Sequence, residues 1–213
     1  MLMTRNAGSM KTSCRAVFGA TISVAVATTL MASCSVVLVQ PYDEALINGT
    51  DAFFKKASAV IDGGIAVSPR TDADREAIKK PSDSPAHSSR FGTHYNELGT
   101  DVDALLLRAT AKSQLVGPAG DRIQREISQL IDEALPSQCA TVQAALVGDD
   151  SSLTVRNLVD LKCIVIGWKS QHEDPDFTQG TSILKRASWE TRRSSLFAAV
   201  LEVERAELSK KPR

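Results

Sequence analysis

No Asp or Glu occurs in the first 42 residues. The only charges there are Arg5, Lys11 and Arg15, and the 24 residues from Ala16 to Val39 carry none. A buried helix of a cytoplasmic domain gives no reason for every early charge to be positive. A basic start, an apolar run and small residues before a break describe an export signal. Aromatic residues are scarce as well. Two Trp and two Tyr in 213 residues argue against a groove that stacks sugars or bases. An excess of basic charge is missing too, with 25 Lys and Arg against 25 Asp and Glu. A nucleic-acid partner would leave a basic footprint, so none is expected.

Motifs that carry chemistry are also lacking. The chain has no Gly-x-Ser-x-Gly elbow and no Cys-x-x-Cys-His haem attachment. Gly117-Pro118-Ala119-Gly120 lacks the Lys-Ser/Thr that follows in a phosphate loop. A di-iron bundle needs Glu-x-x-His on two helices, whereas His94-x-x-Glu97 occurs once and in reversed order. His172 falls in an expected loop and His87 in an expected mobile segment. The residues predict no metal site, no cofactor, no catalytic residue and no enzymatic activity.

What the N-terminus does contain is Leu30-Met31-Ala32-Ser33-Cys34. This stretch resembles a lipobox, the cleavage signal of bacterial lipoproteins, with Met31 where the pattern usually has Leu. The resemblance implies cleavage after Ser33 and lipid on Cys34. Met10 to Ser33 makes a signal of conventional length, which suggests Met10 as the true start. A buried acyl chain contributes about 0.8 kcal/mol per methylene, and stable anchoring takes more than one chain. Ser35 resembles the residue found there in outer-membrane lipoproteins, lacking the Asp associated with inner-membrane retention. Two rivals stand beside this reading. About 20 apolar residues span a bilayer, so Ala16–Val39 is long enough for an uncleaved anchor; ordinary secretion is the other. All three export the remainder of the chain.

Removal of residues 1–33 leaves 180 residues with 22 basic against 25 acidic side chains. That is one domain of ordinary size. Residues 34–42 read as a lipidated tether and 43–213 as the domain. Cys139 and Cys163 then remain as the candidate disulfide, since paired cysteines in an exported domain are more often bonded than metal-bound. Closing a loop of that length contributes roughly 3 kcal/mol in the chain-entropy model. The alternative is two buried thiols that never meet.

Apolar periodicity reads as helices throughout. Asp43 and Glu44 open the first, complementing the positive end of its dipole. Leu46, Thr50, Phe53, Ala57 and Val60 share one face, and Gly63-Gly64 is the expected stop. Residues 64–90, rich in Ser, Asp, Pro and Gly, read as a mobile connection. Phe91, Tyr95, Leu98, Val102, Leu105, Ala109 and Val116 form a bundle seam. A third helix runs from about Ala119 to Leu135, and Cys139–Val147 is a short one. Leu158, Leu161, Val165 and Trp168 mark the helix expected to be most buried, with Ser151 or Ser152 as its cap. His172–Gly180 is the expected loop. The last helix spans about Ser182 to Leu208, with Leu196, Phe197, Val200, Leu201 and Val203 as its apolar weight. The prediction is an all-α antiparallel bundle of four main helices.

Pro41-Tyr42-Asp43-Glu44 soon after the lipidated cysteine, together with Phe91, Tyr95, Leu98, Leu105, Arg108 and Ala109, is similar to a set of bacterial lipoproteins of uncharacterised function. The resemblance implies a helical, membrane-tethered domain and brings no activity with it. Tyr42, Asp43 and Glu44 are the candidate interaction residues because they adjoin the tether, although helix-start chemistry is the favoured explanation of them. Lys185, Arg186, Arg192 and Arg193 read as a solvated basic face. The expected role is structural or protein-interacting, in the cell envelope and facing the periplasm, with an envelope protein as partner. The alternative is a periplasmic bundle that binds a small ligand or metal, or an enzyme assembled in its core, which requires ionisable side chains pointing inward.

Overall fold

The computed structural model describes residues 41–113, 117–146 and 153–211. The lipobox, Cys34, the rival anchor Ala16–Val39, Val116, Val147 and the expected caps Ser151 and Ser152 lie outside the described residues. The chain is all-α. Its helices are α1 (Glu44–Val67), α2 (Asp72–Glu76), α3 (Gly92–Lys112), α4 (Gly117–Glu133), α5 (Pro136–Leu146), α6 (Leu153–Glu173), α7 (Pro175–Thr178) and α8 (Arg186–Leu208). Among the described residues no strand forms, and only an isolated bridge joins His87 to Ile183. Nor is any described helix long and apolar enough to cross a membrane.

Four helices close a ring. α1 packs on α3, α3 on α6, α6 on α8 and α8 on α1. Each neighbour runs antiparallel, since the N-terminal Asp43 of α1 meets Arg108 near the end of α3 and Glu207 near the end of α8. The expected seam of α3 is buried at Phe91, Tyr95, Leu98, Val102, Leu105 and Ala109. α6 is the central element, touching α3, α5, α7 and α8. Its Leu158, Leu161, Val165 and Trp168 are all buried. The helix at 117–133 is not part of the ring. It packs on α5, and α5 packs on α6, so α4 and α5 form an outer hairpin. Pro136 starts α5 rather than merely interrupting a helix, as fits a residue without an N–H in a first turn. Cys139 and Cys163 stand at disulfide distance, Cα atoms 5.6 Å apart, stapling that hairpin to α6.

Several boundaries differ from expectation for physical reasons. α1 does not stop at Gly63-Gly64 but runs on to Val67. Gly64 is there because the indole of Trp189 lies against it: a Cβ at that position would sit 2.3 Å from Trp189 Cε2. The buried stripe of α1 accordingly ends in Ile61 and Gly64 rather than Val60. Residues 64–90 are fastened rather than loose. Arg75 is buried and reaches Asp72 at 2.7 Å, Lys185 reaches Asp72 at 2.9 Å, and the Ser88 N–H donates to the Ser182 carbonyl at 2.8 Å. His172 is no loop residue, because α6 continues through Glu173 and buries it completely. On α8 Leu196, Val200 and Val203 turn inward, while Phe197 points out and is 60% exposed.

Candidate functional site

Polar side chains latch the bundle at both ends. At the end where the chain joins it, Asp43 caps α1, its carboxylate accepting from the Ala45 N–H at 3.1 Å. Arg108 donates to the same carboxylate through Nε at 2.6 Å and Nη2 at 3.0 Å, and Lys112 approaches it at 2.7 Å. The Arg108 guanidinium beside Asp43 holds its carboxyl well below the usual carboxylate range. The Asp43 N–H donates to Glu207 Oε2 at 3.1 Å, and Thr154 donates to Glu207 Oε1 at 2.6 Å. Lys210 pairs with Glu207. One cluster thus ties together all four ring helices. Asp43 and Arg108, taken from the two short motifs that carry the lipoprotein resemblance, meet here. Of the candidate interaction residues, Asp43 is buried and occupied, Tyr42 lies under the Lys211 ammonium at 5.5 Å, and Glu44 is exposed.

At the opposite end Arg192, His172 and Tyr95 form a second cluster. Arg192, expected on a solvated face, is only 3% exposed. Its Nη1 donates to Tyr95 Oη at 2.7 Å and its Nη2 to the Trp168 carbonyl at 2.5 Å. Tyr95 Oη lies 2.8 Å from His172 Nδ1, and His172 Nε2 lies 3.2 Å from the Ala86 carbonyl. A carbonyl only accepts, so His172 carries its proton on Nε2. Nδ1 then accepts from the Tyr95 hydroxyl, which itself accepts from Arg192. The order of donors is fixed along the chain of contacts. Burial pushes His172 down to about 4 and Tyr95 up to about 12, keeping both neutral near pH 7.

Arg192 is charged, and among the described residues no carboxylate pairs with it. Its charge rests on π faces: its Cζ is 4.8 Å from the Trp189 ring centroid and 5.7 Å from those of Tyr95 and Trp168. Burying an unpaired ion costs several kcal/mol. Cation–π contacts return about 2 kcal/mol when desolvated. Hydrogen bonds to a charged group return about 1.5–3 kcal/mol. The balance is met by soft and neutral groups rather than by a counter-ion. Two buried donors in the cluster, Arg192 Nε and Trp189 Nε1, find no acceptor among the described residues.

Two clefts open beside these elements. One, of about 750 Å³, lies between α3, α6 and the α4–α5 turn, with Asp103 and Lys162 in its lining. Lys162 is 3% exposed and lies 2.7 Å from Asp103, so its charge is balanced internally. Burial raises the Asp103 carboxyl, and Lys162 opposes the rise. The other cleft, of about 710 Å³, runs between α6 and α8 and is lined in part by Arg192. Neither includes His94 or Glu97, the one reversed His-x-x-Glu pair in the sequence. Among the described residues no three metal-ligating side chains converge.

The buried polar residues were detectable in the sequence. Trp189, Arg192, Leu196, Val200 and Val203 follow steps of three and four, so Arg192 occupies a seam position. Leu158, Leu161, Val165, Trp168 and His172 do the same on α6. Adjacent Arg193, Lys185 and Arg186 disguised Arg192 as one member of a surface cluster. Known proteins offer no further guide, because no protein-family model, curated protein or solved structure matches the chain.

Proposed function

We propose that the protein is an exported bacterial lipoprotein: a helical module tethered to a membrane through Cys34 and acting structurally, or by binding a partner protein, in the cell envelope. The observation that carries this reading is Leu30-Met31-Ala32-Ser33-Cys34 after a basic start and an uncharged run, and the clamp at Asp43 bears on how closely the domain would follow a lipid. Only six residues, 35–40, separate Cys34 from the described domain, and six residues span at most about 20 Å when fully extended. Because Asp43 is locked to α3 and α8, the link has no slack to draw from the domain. A lipid on Cys34 would therefore keep the start of the described domain within about that distance of the bilayer. Exposed Phe197 gives the outer face of α8 an apolar contact for a partner.

Intact-mass spectrometry of the protein made in a bacterial host, beside a Cys34→Ala variant, tests the reading. Loss of residues 1–33 with added lipid mass, abolished by the substitution, is the expected result. An uncleaved, unlipidated mass in the membrane fraction would make Ala16–Val39 a spanning anchor instead. A cleaved, lipid-free protein in the soluble fraction would make it an ordinary secreted domain.

A further inference from the structure

We propose that the cleft between α6 and α8 is a binding site for a small organic anion, a carboxylate or phosphate on a short apolar body, whose charge is balanced by Arg192. This goes beyond the tethered-module reading and does not depend on it.

The argument is one of charge balance. Arg192 is a buried cation, and its hydrogen-bond acceptors are one phenol oxygen and one backbone carbonyl, both neutral. Lys162 supplies the contrast within the same fold, because its buried charge has Asp103 beside it. The clamp at the other end of the bundle likewise sets cations against Asp43 and Glu207. Among these clusters Arg192 alone has no paired carboxylate, and it is part of the lining of a cleft, although its Nε, which has no acceptor, is itself closed off from solvent. Charges in a groove at a protein surface attract more strongly than in bulk water. An anion beside Arg192 therefore gains an interaction that no carboxylate among the described residues supplies.

The lining suits such a ligand. α8 contributes the Ser188 hydroxyl, while those of Thr191 and Ser195 donate to the Ala187 and Thr191 carbonyls at 3.0 and 3.1 Å, and Trp168, Ile164 and Phe177 supply apolar surface. About 710 Å³ is within the range of ordinary small-ligand sites. Asp160, the one carboxylate in the lining, accepts from Gln143 at 2.7 Å. It lies eight residues before Trp168 on α6, about 12 Å along the helix axis. At that separation its repulsion of an anion beside Arg192 is weaker than the attraction of the adjacent guanidinium.

The test uses the whole protein and its own tryptophans. The chain has two, Trp168 and Trp189, and both face Arg192. Hexanoate, hexyl phosphate, hexylamine and hexanol are titrated while tryptophan fluorescence and thermal midpoint are followed. Hexanoate, hexyl phosphate or both should produce a saturable fluorescence change and raise the midpoint, as a native-state ligand must. The more effective of the two identifies the head group. Thr191→Phe, a substitution at an exposed rim position, should weaken that binding by about tenfold or more while leaving the unliganded midpoint unchanged. Arg192→Met should abolish the preference for anions; if that variant fails to fold, the Thr191 variant still decides. Absence of saturation with both anions, or an equal response to hexanol and hexylamine, would overturn the proposal. So would unchanged affinity in the Thr191→Phe protein.

Discussion

Gly63 and Gly64 are neighbours in α1, yet replacing each with Ala has opposite expected effects. Gly63 is exposed, and a Cβ there meets nothing within 4 Å. Gly63→Ala should therefore gain helix propensity alone, about 0.5–1 kcal/mol and nearer the lower figure this close to the helix end. At Gly64 the same methyl would lie 2.3–2.6 Å from three atoms of the Trp189 indole. That ring cannot retreat. It is 0% exposed, with Phe91 at 4.8 Å between ring centroids, His172 at 5.6 Å and the Arg192 guanidinium at 4.8 Å. Overpacking a tight core costs about 1–3 kcal/mol. After the propensity gain, Gly64→Ala should be destabilising by about 1–2 kcal/mol. Urea unfolding followed by far-ultraviolet circular dichroism reads both variants on one scale. Tryptophan fluorescence should shift in the Gly64 protein only. Equal stabilisation by the two substitutions would refute the packing of Trp189 on α1, and with it the geometry of the Arg192 cluster.

Three further outcomes follow from the clusters and the staple. His172 titrates at about 4 when folded, against about 6.5 when unfolded. Its contribution is complete above pH 6.5 and lost as pH falls towards 4, up to about 3 kcal/mol. His172→Phe should flatten that part of the stability–pH curve, and no change of slope would refute the buried neutral imidazole. Asp43 contributes above about pH 4 and loses its effect below it. Asp43→Ala removes the N-cap, about 1 kcal/mol, together with both ion pairs. Asp43→Asn keeps a cap and loses the charge, so the Ala protein should unfold at lower urea. Reduction of the Cys139–Cys163 pair, or replacement of both residues by Ser, should cost roughly 3 kcal/mol. An unchanged unfolding midpoint under reducing conditions would argue that the bond makes no net contribution.

Periodicity alone determined that this protein is helical and which seams face inward on α3, α4 and α6. Spacings of three and four report the pitch of an α-helix wherever one face is buried, whatever it is buried against. With Cys14 and Cys34 assigned to the expected signal and lipid site, Cys139 and Cys163 likewise remained as the one pair available for a staple. Which helices form the ring is a different matter. The strongly periodic stripe of Ile123, Ile127 and Leu130 suits an outer hairpin as well as a core helix, and only tertiary contacts distinguish the two. Gly64 reads as a stop until Trp189 is seen to rest on it. Arg192 reads as surface charge until Tyr95, Trp168, Trp189 and His172, drawn from three helices, close around it. Asp43 and Arg108 are 65 residues apart in sequence, and neither one indicates the other. Local sequence fixes the backbone's hydrogen bonding and the face each helix buries. The partners of a buried charge are chosen by the packing of distant segments, and their identities are set only when the bundle closes.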